Sequence, residues 1–317
     1  MNTTPPDEAV PTSQPALAQR TGAQPSSAEP SIALALGGGG ARGLAHILVL
    51  EVIDELGLKP KMIAGTSIGA LMGAAYAMGL PGYRLRAIME ETLGNRIELV
   101  RQLFAARSEP IQHLLRLLPV RSSLLSPDAL LERLIPEFEG KTFEALQIPL
   151  KVVATDLVKR EAVVIDKGPL RPAVAASIAI PLVFSPMVDN GRVLVDGGLV
   201  NPLPFDLIAG AADITIAVDV SGAATSTALD DRPSAIEVLM QSIHIMEKSI
   251  TNQKLRSEQP DIYLDVNLDG FGILEFWRAN EIMTAAAPIK DRLHRQLKRL
   301  LAAPRLELSA PGDRGTR

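Results

Sequence analysis

A serine between glycines, a run of four glycines, and an aspartate followed by two glycines are the residues of this chain best suited to chemistry. In Gly65-Thr66-Ser67-Ile68-Gly69 the serine stands where a short apolar run ends and a helical pattern begins. G-x-S-x-G in that setting is the pattern of a nucleophile elbow. Small neighbours permit a sharp turn that holds the Ser67 hydroxyl out at a helix N-terminus, where the dipole favours a developing alkoxide. Leu36-Gly37-Gly38-Gly39-Gly40-Ala41-Arg42-Gly43 also links a strand to a helix. Its N–H groups, at the positive end of that helix, suit an anion. Val193-Leu194-Val195-Asp196-Gly197-Gly198 puts a carboxylate at the end of an apolar strand, where open α/β sheets gather functional residues.

A serine hydroxyl needs a base. An α/β-hydrolase would use a histidine late in the chain, in a loop after a strand. Here His244 falls in a helical pattern from Ile236 to Lys254 and His294 deep in the last helical pattern. Asp196 is the better base, with Asp156 second because no glycine pair follows it. His46, three positions into a helix, reads as a packing or hydrogen-bonding residue. Gly38, Gly40 and Gly43 formally satisfy G-x-G-x-x-G, but a dinucleotide site wants an acid after the second strand, where this chain has Thr66-Ser67. A Walker A loop fails as well, because Leu44 follows Gly43 in place of lysine.

Alternating strand and helix patterns must position these motifs. Strands are expected at Ile32–Leu36, Met62–Ala64, Leu150–Ala154, Ala162–Ile165, Val193–Val195, Ile214–Val218 and Ile262–Leu264. Helices are expected at Leu44–Leu56, Ile68–Met78, Arg101–Leu118, Ser126–Ile135 (Ser126 as N-cap, Pro127 at the first helical position) and Ala279–Leu301. The order implies β-α-β units and a mostly parallel sheet in a single α/β domain.

Composition narrows the function. The chain has 317 residues, is 47% hydrophobic and carries a net charge of −4, which points away from a nucleic-acid partner. With no cysteine and four scattered histidines, neither a disulfide framework nor a built-in metal centre is expected. The uncharged runs Met62–Tyr83 and Pro172–Val188 are interrupted by glycine or proline and do not read as membrane spans. Residues 1–31 hold six prolines and no aromatic residue, so a disordered tail is expected there and another at 304–317, leaving a folded body of 32–303. No secretion signal is read at the N-terminus, and a cytoplasmic location is expected.

Taken in order, Gly38-Gly39-Gly40-Ala41-Arg42-Gly43, Gly65-Thr66-Ser67-Ile68-Gly69 and Asp196-Gly197-Gly198, with Ala176-Ser177-Ile178-Ala179-Ile180-Pro181 and Asn201-Pro202, resemble the bacterial branch of the patatin-like phospholipase family. The likeness spans Ile32 to Val220; Gly37 stands where plant members often have aspartate. The resemblance implies a three-layer α/β/α fold and a Ser-Asp dyad without histidine. Ser67 would be the nucleophile, Asp196 the base, and the amides of Gly38, Gly39 and Gly40 the oxyanion hole, helped by Arg42. It implies no cofactor, a phospholipid or other lipid ester as substrate, and peripheral membrane contact. The segment Arg101–Leu118 mixes leucines with three arginines and reads either as a cap packed on the body or as a lid that meets lipid. The competing reading is a non-catalytic lipid-binding or regulatory protein that keeps the fold.

Overall fold

The computed structural model of the protein describes residues 30–93, 125–222 and 235–302. Both expected tails, apart from Pro30, Ser31 and their neighbours in the body, and the segment Arg101–Leu118 lie outside the described residues. Along the chain, β1 (Ile32–Leu36) leads through a 3₁₀ turn at Gly40–Ala45 into α1 (His46–Glu55). Next come β2 (Met62–Thr66), α2 (Ile68–Ala77), α3 (Gly82–Leu93), α4 (Pro127–Leu134), β3 (Leu150–Asp156), β4 (Glu161–Ile165) and α5 (Leu170–Ser177). They are followed by β5 (Met187–Asp189), β6 (Arg192–Asp196), β7 (Ile214–Asp219), α6 (Ala235–Ser257), β8 (Ile262–Asp265), α7 (Ala279–Ala286) and α8 (Pro288–Leu301).

The sheet runs β5-β6-β3-β2-β1-β7-β8, with β4 also on β3. β3, β2, β1, β7 and β8 are mutually parallel, while β4, β5 and β6 join antiparallel. The sheet is thus mixed and mostly parallel, flanked by helices. Period-two alternation explains its two unequal faces. Ile32, Leu34 and Leu36 of β1 enter the large core under α1, α2, α7 and α8. Ala33 and Ala35 turn to the other face, where with Ala64 and Ala217 they let a 3₁₀ turn at Phe205–Ile208 pack closely.

Several local expectations shift. The single terminal helix is two, because Pro288 lacks the N–H needed to carry α7 onward and instead starts α8. The helix after the glycine loop opens with a 3₁₀ turn and becomes α-helical only at His46. α3, α5 and β5 were not anticipated. The expected cap of α4 is present, with Ser126 Oγ accepting the Ala129 N–H at 3.2 Å. Among the described residues no helix is long and apolar enough to cross a membrane.

Candidate active site

β3 brings the serine and the aspartate together. β4 occupies one edge of β3 from Val152 to Asp156, so β2 and β6 share the other. β2 runs parallel along Leu150–Val153 and ends with Thr66 beside Val153, and β6 arrives antiparallel and ends with Asp196 beside Ala154. The two strands meet head to head. Ser67, one residue past Thr66, therefore faces the end of β6.

Ser67 turns the chain from strand to helix by itself, at φ 55° and ψ −126°. A non-glycine residue in such a region costs on the order of 1–3 kcal/mol, and its surroundings must hold it there. The Ser67 N–H donates to Ser177 Oγ at 2.9 Å, and the Ser177 hydroxyl in turn donates to Val153 O at 2.6 Å. One residue earlier, Thr66 Oγ1 donates to Asn201 O at 2.8 Å. Gly69 is required by contact rather than conformation, since a Cβ there would lie 2.1 Å from Leu36 O.

The Ser67 hydroxyl donates to Asp196 Oδ2 at 2.6 Å, and Asp196 Oδ1 accepts the Gly198 N–H at 2.8 Å. Thr155 Oγ1 donates to the backbone oxygen of Asp196 at 2.7 Å. Burial pushes the Asp196 carboxyl up to about 7; the Ser67 hydrogen bond opposes the shift and the charge of Glu247 adds to it. A carboxylate so tuned is a far better proton acceptor near neutrality than an exposed one.

The glycine loop is pinned at its ends and open in the middle. Gly37 N–H donates to Val218 O at 3.0 Å, Gly38 N–H to Pro202 O at 2.9 Å and Ala41 N–H to Ile273 O at 2.8 Å. Among the described residues the amides of Gly39 and Gly40 have no hydrogen-bond acceptor. Of the three amides expected to face an oxyanion, Gly38's is thus engaged and the other two are free. Gly40, at φ 57°, could carry no side chain, since its Cβ would lie 2.1 Å from Ile273 O. His46 is fully buried and donates from Nε2 to Gly37 O at 2.8 Å; burial lowers its pKa to about 4, so it is a neutral strut.

Gly38, Gly39, Gly40, Arg42, Ser67 and Asp196 all line one cleft. The Arg42 guanidinium is engaged by other groups, with Nε 3.5 Å from Gly39 O and Nη2 3.5 Å from His244 Nε2. Asp156, the second choice as base, instead caps the β3–β4 turn, its Oδ1 accepting the N–H groups of Val158 and Lys159 at 3.0 and 2.9 Å. The far wall of the cleft is α6, through Met240, Ile243, His244 and Glu247. His244 bonds to neither Ser67 nor Asp196, and His294 sits on α8 outside the cleft. Sequence reasoning missed this wall and the clamp made by Ser177. No local pattern marks the wall, whereas Ser177 lay in a recognised motif without an assigned role. Among the described residues no three His, Asp or Glu side chains are grouped to hold a metal ion.

A family model described as Patatin-like phospholipase matches residues 34–209. An uncharacterized NTE family protein of Mycobacterium tuberculosis is 38% identical over 212 residues, covering 66% of this chain and 54% of the relative. Patatin-like phospholipase domain-containing protein 6 of Mus musculus is 33% identical over 194 residues, 60% of this chain and 13% of that protein. The chain spans about half the length of the mycobacterial relative and a small part of the mouse one. Among solved structures, VipD from Legionella pneumophila aligns with a TM-score of 0.43 at 14% identity, over 84% of this chain and 67% of that one.

Proposed function

We propose, from the premise that this chain belongs to the patatin-like phospholipase family, that it is a serine acyl hydrolase releasing fatty acid from phospholipid or other lipid esters. The observation that carries the reading is the 2.6 Å hydrogen bond from Ser67 to a buried Asp196, in a cleft shared with two unpaired loop amides. Asp196 takes the hydroxyl proton as Ser67 Oγ attacks the ester carbonyl. The carbonyl oxygen, now negative, is received by the N–H groups of Gly39 and Gly40. Collapse of the tetrahedral adduct breaks the ester bond, and the proton on Asp196 passes to the leaving alcohol. Water then repeats the sequence on the acyl-enzyme, giving up its proton to Asp196 and freeing the acid. Each amide donor of this kind is worth about 3 kcal/mol in the transition state, so the loop rivals the dyad in importance.

Arg42 shapes the loop through the Gly39 carbonyl. The folded acyl-hydrolase body is proposed to run from 32 to 303, with peripheral contact to the lipid surface that holds the substrate. The test is Ser67→Ala, with fluorophosphonate labelling of the wild type followed by peptide mapping. Hydrolysis of a short soluble ester should fall by at least about 10³-fold with the melting temperature retained, and the probe should map to Ser67. Turnover retained in Ser67→Ala, or label on another serine, overturns the reading.

A further inference from the structure

α6 is locked onto the sheet by two lysines. Lys248 Nζ donates to Asp219 Oδ2 at 2.9 Å, at the end of β7, and Lys254 Nζ donates to Asn201 Oδ1 at 2.6 Å, to Leu203 O at 2.9 Å and to Asp206. That anchorage fixes which face of the helix meets the cleft, and it delivers an acid there. A Cβ built on Gly198 would lie 2.4 Å from Glu247 Oε1 and 3.1 Å from Asp196 Oδ1. The two carboxylates are therefore within about 6 Å of each other, a separation at which like charges alter proton affinity. The absence of a side chain at Gly198 is what allows this approach.

Glu247 is restrained on its other side. His244 Nδ1 lies 3.6 Å from Glu247 Oε2, and His244 Nε2 lies 3.5 Å from Arg42 Nη2. A neutral imidazole with its proton on Nδ1 satisfies both neighbours, accepting from the arginine and turning its N–H to the glutamate. The line from the glycine loop to the dyad thus passes through Arg42, His244 and Glu247, three residues that lie far apart in sequence or carry no motif.

We propose that Glu247 is a positioning residue of the dyad: its carboxylate, held over Gly198, keeps a second negative charge beside Asp196 and so sets the pH range over which Asp196 accepts the Ser67 proton. The inference rests on the acyl-hydrolase reading. The ionisable and polar groups around the pair are few. Asp196 meets the Ser67 hydroxyl from the elbow, the Gly198 N–H and Glu247 from α6. Glu247 meets His244 on its own helix and Arg42 from the 3₁₀ turn, and Arg42 is also within the field of Asp219 and Asp269. Lys248, the nearest cation on α6, is turned to Asp219. The sign is fixed by this arrangement. Removing the Glu247 charge makes Asp196 easier to ionise and a weaker base.

The experiment is the pH profile of kcat/KM on an uncharged short-chain ester, together with the pH dependence of fluorophosphonate labelling at Ser67, for wild type, Glu247→Gln and Glu247→Asp. Glu247→Gln should move the acid limb of both profiles down by roughly one pH unit, with a lower plateau in kcat. Glu247→Asp, keeping the charge one methylene further away, should shift in the same direction by less, and it carries the test if the Gln variant does not fold. An unmoved acid limb in a folded, active variant, or a change confined to KM, overturns the inference alone. A wild type that the probe does not label at any pH sinks the acyl-hydrolase reading and this inference with it.

Discussion

The two sides of the cleft are built differently. The floor, made of the glycine loop, the elbow and the end of β6, is largely buried and densely hydrogen-bonded, and among the described residues the loop leaves the amides of Gly39 and Gly40 without an acceptor. The α6 wall turns Met240, Ile243, His244 and Glu247 inward while exposing Val238, Leu239, Ile245 and Met246 on its outer side. The side chains of the floor are tied to one another and to the backbone, and on the proposed reading the floor carries the reaction. The wall is held by a few long side chains from outside the floor, and on the proposed reading it adjusts that reaction. Substitutions should separate the two regions by the size and kind of their effects.

The largest effect belongs to the floor. Asp196→Asn should lower ester turnover by roughly 10³-fold or more, yet it should not weaken the fold. Burial raises Asp196 from 3.8 to about 7, so between those values the folded chain keeps a proton that the unfolded chain has released. The stability this group contributes is fully present at low pH and is lost as the pH rises through about 7. Relative to wild type, Asp196→Asn should therefore gain stability with rising pH, by on the order of a few kcal/mol above neutrality. Urea melts at pH 5 and pH 8 measure it; a difference that shrinks with pH would contradict the desolvated carboxylate.

A smaller effect is expected at Ser177. Ser177→Ala leaves the buried Ser67 N–H and Val153 carbonyl without partners, a loss of about 1–3 kcal/mol in stability. Because the elbow is strained, kcat should fall alongside, and chemical denaturation together with steady-state kinetics would reveal it. A stable variant with a normal kcat would mean that the glycines alone hold the turn.

Least of all should change on the outer side of α6. Ile245 is 65% exposed, and Ile245→Ser should alter stability by no more than about 0.5 kcal/mol and leave soluble-ester turnover as it is. A large loss in either would show that the outer side of this helix is packed as the floor is, and the contrast between the regions would fail.

Much of the floor was legible because it is written in short, contiguous motifs. A nucleophile elbow needs small residues within two positions of its serine, and a loop that offers its amides needs glycines in a row, so Ser67 and Gly38 to Gly40 announce themselves locally. The strands of the parallel part showed as plainly, since a buried strand of a parallel sheet is a run of aliphatic residues bounded by turns, whereas β5, short, largely exposed and antiparallel, carries no such run. α3 was harder to see because it begins at Gly82 after Pro81, a pairing that reads as a turn. The break at Pro288 was available in the sequence and was masked by periodic leucines on both sides of it.

Residue types and local spacing were enough to single out Ser67 as the candidate nucleophile, Asp196 as the candidate base and a mostly parallel α/β plan, because each is marked by a short pattern of neighbouring residues. Tertiary structure alone decided that Ser67 and Asp196 meet, since β2 and β6 must share one edge of β3 before their ends can face each other. It decided too that Gly38 gives its amide to Pro202 while Gly39 and Gly40 keep theirs, and that α6 presents His244 and Glu247 rather than Ile245. A helix's own sequence makes it amphipathic, but which stripe faces a cleft depends on where distant side chains such as Asp219 and Asp206 anchor it, and no local pattern encodes that.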